Sequence, residues 1–123
     1  MSKLSIVSIA LSFTLACGAS YPEPTQRMAD AQGAERSARE LGAASQPKAQ
    51  LHLKLAQEQI AEAKSLLEEG DNKRADFVLS RAKADAEFAL ALAREQNARV
   101  EAQRAIDQAN TALSASPSQG AQR

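Results

Sequence analysis

The stretch Ala61–Ala86 reads AEAKSLLEEGDNKRADFVLSRAKADA, and its reading decides the fold. Apolar residues recur at helical spacing on both sides of one interruption, Gly70-Asp71. Gly70 fits the left-handed position just past a helix end. Asp71 fits the N-cap of the next helix, where its carboxylate accepts otherwise unpaired backbone N–H groups. A connection this short forces a turnaround, so the two helices are expected to lie antiparallel.

Upstream, Leu53, Ala56, Ile60, Ala63 and Leu67 follow one another at steps of three and four, the a/d seam of a packed helix. Leu51, Leu55 and Leu66 widen the stripe as a globular helix face requires. Pro47 suits the first helical position, and Ser45 is placed to cap it. Downstream, a helix is expected from about Asn72 to Leu113, a run without Gly or Pro. Its stripe is Ala75, Leu79, Ala82, Ala86, Ala89 or Leu90, Ala93 and Val100. A helix of roughly 40 residues is about 60 Å long, and its partner is a little over half that. Much of it should therefore project. Ala102, Ala105, Ile106, Ala109 and Leu113 keep an apolar side there, to be covered by the first helix or by another chain.

That first helix is expected over Arg27–Leu41. Met28, Ala31, Ala34, Ala38 and Leu41 form a weak stripe, with Glu35 and Arg39 as an exposed i,i+4 pair. Gly33 weakens its middle, Gly42 marks its end, and Ala43–Gln46 is a turn. The fold class is all-α: an antiparallel helical hairpin with one long helix and a third shorter helix, coiled-coil-like. The helical domain occupies 26–113, and the polar, Pro- and Gly-containing 114–123 reads as a disordered tail.

Composition agrees. The 123 residues include 27 alanines and only four aromatic side chains, so strands lack their usual material while helices have theirs. Fifteen basic residues balance fifteen acidic ones, and no basic patch exceeds a pair such as Lys73-Arg74. Nucleic-acid binding, which needs concentrated positive charge, is not expected.

Residues 1–16, MSKLSIVSIALSFTLA, place one lysine before an uncharged apolar run, the layout of a secretory signal peptide. The run is shorter than the roughly 20 residues a membrane span takes. It ends in Thr14-Leu15-Ala16-Cys17-Gly18, which resembles the bacterial lipobox, although Thr14 stands where that motif usually has leucine. The resemblance implies that Cys17, the only cysteine, is acylated and anchors the chain to a membrane. Residues 17–25 would be the lipidated cysteine and an extended tether. The motif usually carries aspartate after the cysteine in inner-membrane proteins. Gly18 therefore implies the outer membrane, facing the periplasm.

Gln50–Ala93 orders a Leu/Ala helix, then Ala-x-x-Leu-Leu-x-x-Gly-Asp, then Ala75, Leu79 and Ala82, then Asp85-Ala86-Glu87. This resembles the domain of unknown function family 4398, short helical envelope lipoproteins sometimes joined to an OmpA-like peptidoglycan-binding domain. No OmpA-like segment accompanies the pattern here, and the family offers no catalytic residues to carry over.

Candidate chemistry is sparse. His52, the only histidine, reads as a surface residue, with Leu55 and Ala56 where a metal site would want ligands. No nucleophile–base pair presents itself. Glu68, Glu69 and Asp71 read as capping and solvated groups, lacking EF-hand spacing. Asp85 and Glu87 read as i,i+4 partners of Arg81 and Lys83. An enzyme, a cofactor, a metal and a small-molecule substrate are therefore not expected.

Phe77, Phe88 and Leu92 have two readings: core packing against the first helix, or an exposed apolar patch that marks a partner site. With Val100 and Ile106, Phe88 and Leu92 make up the expected partner surface. The function expected is a structural or adaptor role in the cell envelope, through a protein partner. The alternative is a self-associating coiled-coil spacer between membrane and cell wall.

Overall fold

The computed structural model describes residues 21–115. The expected signal peptide, Cys17 with the first part of the expected tether, and the expected tail from residue 116 on lie outside them. Three α-helices and one 3-10 turn follow in order: α1 (Thr25–Glu40), the turn (Ala43–Ser45), α2 (Pro47–Glu68) and α3 (Asn72–Ala115). The chain is all-α, as expected. The ends shift slightly: α1 starts at Thr25, and α3 runs on through Ser114, whose hydroxyl donates to the Asn110 carbonyl at 2.9 Å.

The hairpin forms where the sequence places it. Gly70 has φ +78°, the left-handed conformation that a Cβ disfavours. Its N–H donates to Leu67 O at 3.0 Å, and the Asp71 N–H donates to Leu66 O at 2.8 Å. These two bonds satisfy carbonyls that the end of α2 would leave open. Asp71 Oδ1 then accepts the Arg74 N–H at 3.1 Å and caps α3. The other turn departs from expectation. Gln46, with an extended backbone, holds the N-cap position of α2 and makes no side-chain cap. Ser45 instead donates its hydroxyl back to the Gly42 carbonyl at 2.8 Å, so the group is already engaged inside the 3-10 turn.

The helices run up, down and up. α1 and α3 are parallel, and α2 returns between their ends. Two apolar clusters hold them. Near the hairpin tip, Ala31 of α1 meets Ile60, Ala63 and Leu66 of α2 and Ala75, Val78, Leu79 and Ala82 of α3. At the opposite end, Ala38, Ala43, Ala49, Leu53, Ala89 and Ala93 form the second cluster, with Leu90 and Leu92 packed against it. Alanine dominates because small side chains at steps of three and four let helix axes approach closely. Burying few large groups keeps the hydrophobic gain modest. Leu66 lies deeper than Leu67, and Leu51, about 200° around α2 from Leu53, is exposed and widens no stripe.

α3 is twice as long as α2, 44 residues against 22. Every residue from Arg94 to Ala115 is exposed. That half extends about 33 Å past the bundle at 1.5 Å per residue. The reason is readable on α3 itself. Beyond Ala93 its bundle-facing side continues as Asn97, Val100, Arg104, Asp107 and Thr111, which is polar apart from Val100. Asn97 closes the bundle: its side-chain amide donates to Leu41 O at 3.1 Å and accepts from Gln46 at 3.4 Å.

Candidate interaction surface

Between the two apolar clusters lies a polar layer. Glu35 of α1 is only 8 % exposed and accepts from Gln57 of α2 at 2.6 Å and from Arg39. Burial pushes its pKa up, but the Arg39 and Gln57 hydrogen bonds outweigh burial and hold the carboxyl below its ordinary value. Across the layer, Asp85 of α3 accepts from Gln59 at 2.9 Å and faces His52 Nδ1 at 2.9 Å. The buried Gln59 leaves its carbonyl oxygen without a hydrogen bond.

The structure differs from three sequence expectations. The Glu35–Arg39 pair forms, but its carboxylate is buried rather than exposed. His52 is half-buried and hydrogen-bonded to Asp85 rather than a bare surface histidine. Asp85 serves His52 and Gln59 across helices instead of Arg81, whereas Glu87 does meet Lys83, at 3.9 Å. One signal for this layer was present. Glu35 stands four residues after Ala31 and three before Ala38, and Gln59 three after Ala56 and four before Ala63. Both therefore occupy stripe positions.

At the tip, Tyr21 donates to Asp76 at 2.9 Å, Arg27 pairs with the same carboxylate, and Asn72 donates to Tyr21 O at 2.8 Å. These contacts fix the entry of the chain beside the α2–α3 turn, a feature nothing in the sequence pattern announced. Accepting the tyrosine's hydrogen bond, Asp76 holds the Tyr21 hydroxyl above its ordinary pKa. Of the acidic tip residues, Asp71 caps α3 and pairs with Arg74, and Glu69 accepts from Ser65. No group of metal-ligating side chains occurs among the described residues.

The expected partner residues do not form one surface. Phe77 is 66 % exposed and Phe88 50 %, so neither is packed into the core against α1; Phe88 meets His52 instead. Leu92 is half-buried against the second cluster. Ile106, 54 % exposed, lies 18 residues or five turns from Phe88, on the same side of α3. Val100 lies 14 residues, nearly four turns, beyond Ala86 and so continues the bundle-facing side. Phe88 and Ile106 belong together, Leu92 is at their margin, and Val100 is opposite.

The outer side of α3 carries a second apolar stripe. Phe77, Ala84, Ala91, Ala98 and Ala105 recur every seven residues, with Phe88, Ala102 and Ala109 three or four residues from them. All eight are exposed. This is the heptad spacing of a helix–helix seam, with Arg81 and Glu95 at the two remaining seam positions, on a side that no described element covers. The surface clefts, by contrast, are open grooves. One of about 490 Å³ runs between the α1–α2 connection and α3, past Pro47, Leu92 and Arg99.

The family model for Domain of unknown function (DUF4398) matches residues 26–105, which span the bundle and the first part of the projecting helix. No curated protein and no solved structure matches the chain.

Proposed function

The chain belongs to the DUF4398 family, and on that footing we propose that it is a non-enzymatic structural or adaptor lipoprotein of the cell envelope. Residues 1–16 are its export signal, Cys17 its lipid anchor, and the outer membrane its site, on the periplasmic side. The rod works by laying the outer side of α3 against another protein helix.

The observation that carries this reading is the change of sides on α3. Up to Ala93 its bundle-facing side is buried apolar, and beyond it that side turns polar. The outer side carries apolar residues from Phe77 to Leu113, interrupted only by Arg81 and Glu95. Among the described residues nothing packs on the last 22 residues of α3, and tertiary packing supplies most helical stability, so covering their apolar side would stabilise them. The lipobox resemblance and the preceding apolar run support the anchor. No described helix is long and apolar enough to cross a membrane.

Two measurements test the reading. A Cys17→Ala protein that still fractionates with membranes would remove lipid anchoring as the cause of attachment. Hydrogen exchange should show residues 98–113 protected in isolated membranes and unprotected in the dilute purified protein. Equal, fast exchange in both would leave the outer side of α3 without a partner.

A further inference from the structure

The outer seam of α3 needs an occupant, and its flanking charges specify one. We propose that a second copy of this chain docks there, antiparallel, so that two α3 helices form an alanine-rich coiled coil; the proposal rests on the reading of that side as a docking surface.

Arg94 and Glu101 are seven residues apart and flank the seam on the same edge, both exposed. In an antiparallel pair, residues on that edge face the same edge of the other helix. An alignment centred between Gln96 and Asn97 brings Arg94 to within two residues' rise, about 3 Å along the axis, of Glu101 of the second copy, and Glu101 equally near its Arg94. The same alignment sets Phe88 over Ala105, Ala91 over Ala102 and Glu95 over Ala98 of the second copy. Phe88 then meets a small side chain in both copies, and Glu95 stays bonded to its own Arg99 at 2.6 Å. A parallel, in-register pair fails on the same residues. It stacks Glu95 on Glu95 and sets Arg94 against Arg99, two like-charge contacts in the middle of the seam.

The bundles pose no obstacle. α1 and α2 cover the opposite side of α3 and reach only to about Asn97, so the two bundles lie at opposite ends of the pair, facing outward. The alanines permit axes at the short end of the usual range, about 8 Å. The chain enters each bundle beside Asn72. The pair therefore holds its two amino-terminal entries about 70 Å apart, from the rise of 1.5 Å per residue.

The test is cysteine cross-linking in cells that make the full chain, with the unsubstituted chain as the control for Cys17. Strains carry Ala91→Cys, Ala102→Cys, or both proteins together, and are oxidised briefly before denaturing electrophoresis. Antiparallel pairing predicts a cross-linked dimer when the two proteins are co-produced and at least a tenfold weaker band from either alone, because like positions lie about 16 Å apart along the axis. Arg94→Glu should abolish the band, and Arg94→Glu with Glu101→Arg should restore it. Strong cross-linking of each single variant with itself would overturn the antiparallel arrangement. No cross-link in any strain would overturn the second copy as occupant. If α3 were then still protected from hydrogen exchange in membranes, the docking surface would stand with a different partner; without that protection both readings fail.

Discussion

Phe88 presents its ring edge-on to the imidazole of His52, with centroids 4.5 Å apart and planes at 83°. The contact ties the outer side of α3 to the polar layer beneath, since His52 also faces Asp85 at 2.9 Å. Phe88 is thus supported from below and open above. Phe88→Ala should cost about 1 kcal/mol, the scale of one aromatic pair, with helix content unchanged by circular dichroism. A loss of about 3–5 kcal/mol in urea unfolding would mark Phe88 as a core residue instead.

The core itself depends on few large side chains. Leu79 is fully buried in the tip cluster, where four of its neighbours are alanines that cannot move in to fill a gap. Leu79→Ala should cost about 2–5 kcal/mol, enough to threaten so small a bundle. A midpoint shift no larger than that of Leu51→Ala, an exposed control, would show that the tip cluster does not hold the helices together.

Two glycines should respond in opposite directions. Gly33 sits inside α1 with open space where a Cβ would go, so Gly33→Ala should stabilise by about 1 kcal/mol through helix propensity. Gly70 has the same open space but a φ of +78°. There Gly70→Ala should destabilise by about 1–2 kcal/mol through backbone strain. Thermal melts of the two variants against the unsubstituted chain settle the signs.

Glu35 sets an acid dependence. Its folded pKa lies below the unfolded one, so its contribution to stability is complete above the ordinary glutamate value and is lost as pH falls through the lower folded value. Asp30, held low by its bonds from Gln26 and Lys83, acts in the same sense at the surface. Melting temperature should therefore fall on the acid side of the carboxylate range. Glu35→Gln should flatten that fall while lowering the plateau near neutrality. An unchanged acid slope in the variant would show that Glu35 does not contribute to it.

The fold was legible because its signals are local. Gly70-Asp71 and Pro47 act through their own backbone, and the steps of three and four from Leu53 to Ala63 name the buried side without outside information. The projection of α3 followed from comparing helix lengths. Phe88 and Ile106, named together in the sequence reading, share one exposed side of α3, whereas Val100, grouped with them, lies on the other side of the helix. Val100 also ends the bundle-facing stripe read from the sequence, and that is the side on which its register puts it. The polar layer was missed because Glu35, Gln59 and Asp85 belong to three different helices, and only packing shows which polar groups will face one another.

The central claim is that the outer side of α3, and not the bundle-facing side, meets another protein. Site-specific photo-crosslinking in intact cells tests it most directly, with the probe placed in turn at Phe88, Ile106 and Val100 and the products identified by mass spectrometry. The account predicts protein adducts from Phe88 and Ile106 and none from Val100. Adducts from Val100 alone, or from none of the three in a folded, membrane-associated protein, would contradict it.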